Sequence, residues 1–208
     1  MQNIGIIIAF VGLSAVSAAS PLLAQTTGQT PHPTCDHCQA TYVPKSELDA
    51  YFDRGKLNSV IDQQVRHVDL GAMRVGIAMV YRPKGDTHHV VEHEKVSEVY
   101  YVLDGGGTLQ TGPSLVKPVA RRTDQVEDAQ LIGPSFDAES IDNEMTTELK
   151  AGDVVIIPAG TGHLFTKVPD HITYIVVRLD PGKVLPLKSA EQSKAHLAKP
   201  YKKGQDMY

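Results

Sequence analysis

The sequence has no surplus of positive charge. Against 24 Asp and Glu it carries 20 Lys and Arg, a formal net charge of −4. No basic excess is left to neutralise phosphates or anionic lipid, and nucleic acid is not an expected partner. Nor is there the run of roughly 20 apolar residues that a membrane-crossing helix needs. The apolar stretch Ile4–Val16 is shorter than that, and small residues follow it from Ser17 to Ser20. It reads as the core of a secretory signal over residues 1–24, cleaved after Ala24 at Leu-Leu-Ala or after Ala18 at Val-Ser-Ala. The stretch lacks a preceding Lys or Arg, which runs against that reading, and a twin-arginine pair, whose absence implies export in the unfolded state. A periplasmic or secreted protein is expected, with no membrane anchor after cleavage and with any cofactor acquired afterwards.

Cysteine is nearly absent as well. Cys35 and Cys38 stand in Thr-Cys-Asp-His-Cys-Gln, within a Thr- and Pro-rich tether over residues 25–45. Gln39 occupies the place where haem attachment requires His, so haem is excluded. No second Cys pair completes a four-thiolate zinc site, although His32 and His37 are near. A local disulfide in an oxidising compartment is the plain reading, and a redox-active pair or half of a metal site are the alternatives.

What is present is mostly β pattern. Ser46 and Asp49 form a capping box for a short helical segment over 46–64, with Leu48, Tyr51 and Phe52 on one face and Gly55 as its stop. From Val65 the pattern changes. Ala72–Tyr81, Thr87–His93, Val99–Leu103, 107–111, 154–157 and 171–179 are rich in β-branched and aromatic residues between Gly, Pro and Asp turns. Gly105-Gly-Gly reads as a hairpin turn that sets Gln110 across from Val102. Many short strands without βαβ alternation predict a sandwich or a closed barrel. The polar stretch 112–149 is too long for a turn, and loops of that length are often lids or binding loops. After Pro186 the chain turns basic, which predicts a solvated tail over 187–208 with a short helix near 189–198.

Two stretches carry the chemistry: Val91-Glu-His93-Glu-Lys-Val-Ser-Glu98, running on to Gly105, and Gly152-Asp-Val-Val-Ile-Ile-Pro158-Ala-Gly160-Thr-Gly-His163. Together they resemble the two sequence motifs of the cupin superfamily, with His93, Glu98 and Gly105 matching the first and Gly152, Pro158, Gly160 and His163 the second. The resemblance implies an all-β chain folded as a cupin double-stranded β-helix, or jelly-roll barrel. That barrel would span 65–186 with a short N-terminal helix and a long inter-motif insertion at 112–149. It also implies a homodimer, and a divalent metal held inside the barrel.

The chain departs from the motifs at Val91, in the place of the first motif's first His, and at Lys167, in the place of an Asn. His89 shares a strand face with His93, but four residues separate their backbones by roughly 13 Å. Two metal–imidazole bonds of about 2.0–2.1 Å do not span that, and His88 points to the opposite face. The expected site is therefore His93, Glu98 and His163 around one divalent transition metal: Zn, Fe, Mn, Ni or Cu. Two His and one carboxylate with open positions serve non-haem iron oxygenases, and three protein ligands plus water is the catalytic zinc pattern.

The alternative is a metal-free pair of interior histidines with Glu98 hydrogen-bonded between them. Tyr100 alternates with Glu98 and Val102 toward one face, as a catalytic donor or weak acid, or else as packing. Arg74 and Arg178 read as exterior salt-bridge partners, or as binders of an anionic substrate. A metal-dependent small-molecule enzyme is the expected function, with isomerase, lyase and dioxygenase chemistry all compatible with the fold. A non-catalytic barrel holding a small ligand is the alternative.

Overall fold

The computed structural model describes residues 38–58, 61–87, 89–122, 124 and 128–200. The signal segment 1–24, Cys35, His32, His37 and His88 lie outside the described residues. Cys38 lies within them and is disulfide-bonded.

Helix α1 (Lys45–Asn58) is followed by β1 (Asp62–Asp69), β2 (Arg74–Pro83), β3 (Val90–His93) and the long β4 (Ser97–Gly112). Next come β5 (Ser114–Val116), β6 (Val119–Ala120), a π-helical turn (Asp128–Ile132), β7 (Ser135–Ala138), β8 (Ser140–Asp142) and β9 (Met145–Lys150). β10 (Val154–Ile157), β11 (Gly162–Lys167), β12 (His171–Asp180) and α2 (Ala190–Ala198) complete the order. No helix among the described residues is long and apolar enough to cross a membrane.

The expected closed all-β jelly-roll barrel is not what forms. Hydrogen-bonded neighbours run β1-β2-β12-β4-β11-β3-β7-β6, with β9 and β10 added at β4. The terminal strands β1 and β6 do not pair, so the sheet is open, and α1 and α2 complete a mixed α/β domain. Strand β4 explains the difference. It was expected as two strands around a hairpin, yet its first half pairs with β12 and β10 and its second half with β11 and β9. Gly105–Gly107 therefore bend one strand from one face to another instead of reversing it. Gly105 has φ +73°, and a Cβ there would lie 2.0 Å from the His171 carbonyl oxygen. Gln110 is accordingly not across from Val102; its amide reaches Thr146 instead.

The core lies between the two halves, where Val102, Leu109, Phe165, Ile172 and Tyr174 are almost fully buried. On the outer face of β1 and β2, Tyr51 of α1 packs on Val65 and Met79 with Leu48 and Phe52 beside it. The helix runs through Gly55 rather than stopping there. Helix α2 begins at Ser189, whose side chain forms a capping box with Gln192. Its Ser193 and His196 are buried, so the first part of the expected solvated tail is docked.

Candidate metal centre

Three strands deliver the site. His93 ends β3, Glu98 is the second residue of β4, and His163 is the second of β11. His163 pairs with Val91 in the β11–β3 register, and the period of two sets His89, Val91 and His93 along one pocket wall. Among the described residues, the group of side chains placed to hold a metal is His93, Glu98 and His163. Their ligating atoms lie within 4.8 Å of one another and all three residues are buried. His89 is not in the group, as strand spacing requires. This buried cluster is geometrically suited to one divalent ion.

Hydrogen bonds fix the histidine tautomers. The Ser135 hydroxyl donates its one hydrogen to the Gly133 carbonyl at 2.9 Å, so toward His93 Nδ1, 3.1 Å away, it accepts. His163 Nδ1 faces the Thr161 carbonyl at 3.1 Å and must also donate. With both Nδ1 atoms so engaged, the two Nε2 atoms are the ones turned to the site. They stand 3.6 Å and 3.8 Å from Glu98 Oε2. Those separations exceed hydrogen-bond length, so Glu98 is not bonded between the two histidines. Burial, followed by the neighbouring His93, pushes the His163 pKa down to about 4, which keeps it neutral at pH 7. Burial opposes ionisation of Glu98, but His93, Arg178 and His163 together hold it well below the usual carboxylate range. Three ligating atoms thus converge within 4.8 Å of one another.

The other contacts of Glu98 come from two neighbours. Tyr100 Oη donates to Oε2 at 2.8 Å, and Arg178 Nε donates to Oε1 at 3.0 Å. Burial and the adjacent carboxylate keep Tyr100 protonated, its pKa well above that of a free phenol, so in this structure it is a donor. Arg178 is not an exterior residue: it is buried, and it also donates to Gln64 Oε1 and to Asp62. Arg74 pairs with Asp69 at 3.7 Å, as expected of a salt-bridge partner, and also donates to the carbonyls of Lys183 and Leu185.

The cluster opens into a cavity of about 410 Å³, within the roughly 300–1,000 Å³ range of small-ligand pockets. Ile61, Val80, Val91 and Val176 supply apolar wall, and Arg82 lies near Tyr174. The inter-motif insertion contributes Arg121, Leu131, Ile132 and Asp137 to the lining, besides Ser135 behind His93.

No family model matches the chain, and no curated protein does. Solved structures are similar to it. A protein of Bacillus halodurans is 16% identical, with 79% of this chain and 98% of that one covered and a TM-score of 0.42. A cupin protein of Bacteroides fragilis is 16% identical, with 55% and 72% covered and a TM-score of 0.33. KdgF of a Halomonas species is 13% identical, with 57% and 76% covered and a TM-score of 0.38. At such identities the likeness says nothing of function.

Proposed function

We propose that the protein is a metal-dependent enzyme acting on a small molecule, with one divalent transition metal held by His93 Nε2, His163 Nε2 and Glu98 Oε2. The observation that carries this reading is the convergence of two imidazole nitrogens and a carboxylate oxygen, within 4.8 Å of one another, in a buried pocket. Buried acceptors facing one another are costly unless a cation or a donor joins them. Bound there, the ion supplies Lewis-acid polarisation of a substrate group. Tyr100 holds a proton against Glu98 and is the proposed donor at the site, while the walls from Val80, Val91 and Val176 exclude water.

Elemental analysis of the protein, purified without an affinity tag, tests the reading beside a His163→Ala variant. We expect near one equivalent of a transition metal that is lost in the variant. A wild type that takes up none of Zn, Fe, Mn, Ni or Cu would leave a metal-free small-ligand pocket as the better account.

The setting belongs to the same proposal. Export to the periplasm or medium is supported by the apolar run Ile4–Val16 and by Cys38 being in a disulfide, and N-terminal sequencing of exported protein checks it. A homodimer is supported by Tyr101, Leu103, Val154 and Ile156, which stay exposed on the outer sheet face, Ile156 at 70%. Light scattering on wild type and Ile156→Lys checks that, a monomeric wild type ending the idea.

A further inference from the structure

The two oxygens of Glu98 are held differently. Oε2 faces both histidines, while Oε1 takes the Arg178 Nε–H at 3.0 Å. Arg178 has no freedom to release that oxygen. Its side chain is 1% exposed, and its other two nitrogens donate to β1, one to Gln64 Oε1 at 2.9 Å and one to Asp62 Oδ2. The anchor is itself anchored: Gln64 Nε2 donates to the Arg66 carbonyl at 2.6 Å, so its oxygen must be the atom turned to Arg178. Gly76 leaves room for this amide, since a Cβ there would lie 2.5 Å from Gln64 Nε2. A planar guanidinium bound at three points fixes orientation in a way a lysine ammonium does not.

We infer that Arg178 is the positioning residue that makes Glu98 a one-oxygen metal ligand. With Oε1 occupied, the ion is held by three protein atoms, and its remaining positions stay open to a small molecule. The inference rests on the metal reading above and goes beyond it by assigning what limits the ligand count. Residues that orient a metal ligand commonly change affinity by about 10–100-fold when replaced.

Cobalt(II) titration of wild type, Arg178→Lys and Gln64→Met, followed by calorimetry and by the visible absorption of the bound ion, tests it. Circular dichroism reports folding of each variant. Arg178→Lys should bind cobalt about 10–100-fold more weakly, and its visible band should weaken as the second Glu98 oxygen enters the coordination sphere. Gln64→Met, which leaves Arg178 and Glu98 in place but removes one anchor, should shift both readouts in the same direction by less. Wild-type affinity and band shape in a folded Arg178→Lys would overturn the inference. Should that variant not fold, unchanged affinity and spectrum in Gln64→Met would overturn it instead. A wild type that binds no cobalt defeats the metal reading itself, a distinct outcome.

Discussion

Two arginines are buried on opposite faces of β1, and their surroundings differ in one respect. Arg178 sits on the inner face with Asp62, Gln64 and Glu98; Arg66 sits on the outer face with Glu47. On the outer face the carboxylate is closed off, although the buried Arg66 Nε has no hydrogen-bond partner. Both Glu47 oxygens take Arg66 Nη2, at 2.8 Å and 2.9 Å, Ser193 donates to Glu47, and Tyr51 Oη lies 3.0 Å from Ser193 Oγ. On the inner face Glu98 Oε2, which takes the Tyr100 hydroxyl, is also turned toward two imidazole nitrogens. The closed network ties α1 and α2 to the sheet; the open one leaves donor atoms for something the protein does not supply. A bulge at Val65 makes the separation possible. By period two Gln64 and Arg66 would share a face, but the extra residue shifts the register so that Gln64 opposes Ala78 and Arg66 opposes Ile77.

The sharpest way to break the comparison is to open the closed side. Arg66→Met leaves Glu47 charged and 10% exposed without its partner. We expect a stability loss of about 3–5 kcal/mol in urea denaturation, with metal content per folded molecule unchanged. Loss of metal in the folded variant would mean that the two centres are one.

A smaller effect is expected from behind the open side. Ser135→Ala removes the acceptor that sets the His93 tautomer. Metal affinity should fall about 10–100-fold, read by competition with a chelator, while the urea midpoint stays near wild type. Unchanged affinity would show that the ring is oriented by packing alone.

The parts of this picture that were legible in the sequence are local. His93 and Glu98 fall in one motif and His163 in the other, and it was the resemblance of the two motifs to those of the cupin superfamily that brought the three together. The open sheet was not legible, because it depends on β1 and β6 failing to meet and on how a glycine run in β4 is used. Gly105–Gly107 have the composition of a turn, and only partners far along the chain reveal a bend within one strand. Arg178 was misplaced for the same reason. Tyr174, Val176, Arg178 and Asp180 form the buried alternate set of β12, and that inward register was the available signal. Its partners Glu98, Gln64 and Asp62 lie 80 to 116 residues away, so no local pattern announces them. Ser135 was missed because the stretch 112–149 looked like loop, whereas β7 pairs with β3 and brings Ser135 opposite His93.

The smallest effect belongs to Lys188, a cation of the outer face. Lys188 donates to the Gln64 carbonyl and lies over the Tyr51 ring at 5.2 Å. Burial, then the nearby Arg66, pushes its pKa from 10.5 down to about 8. Between those values the unfolded chain binds the proton that the folded chain releases, so stability rises with pH across the window. The contribution is complete above 10.5 and is lost as pH falls toward 8; below that both states are protonated and the cost of the buried charge is constant. Lys188→Met should therefore flatten the rise in urea midpoint between pH 8 and 10.5 and raise stability at pH 7. An unaltered pH profile in the variant would mean that the ammonium is solvated, and the outer face would then be closed only at Arg66 and Glu47. A flattened profile with metal affinity unchanged would show that charge on the outer face is insulated from Glu98. The Gln64 residue that touches both sides would then carry hydrogen bonds to each without coupling them.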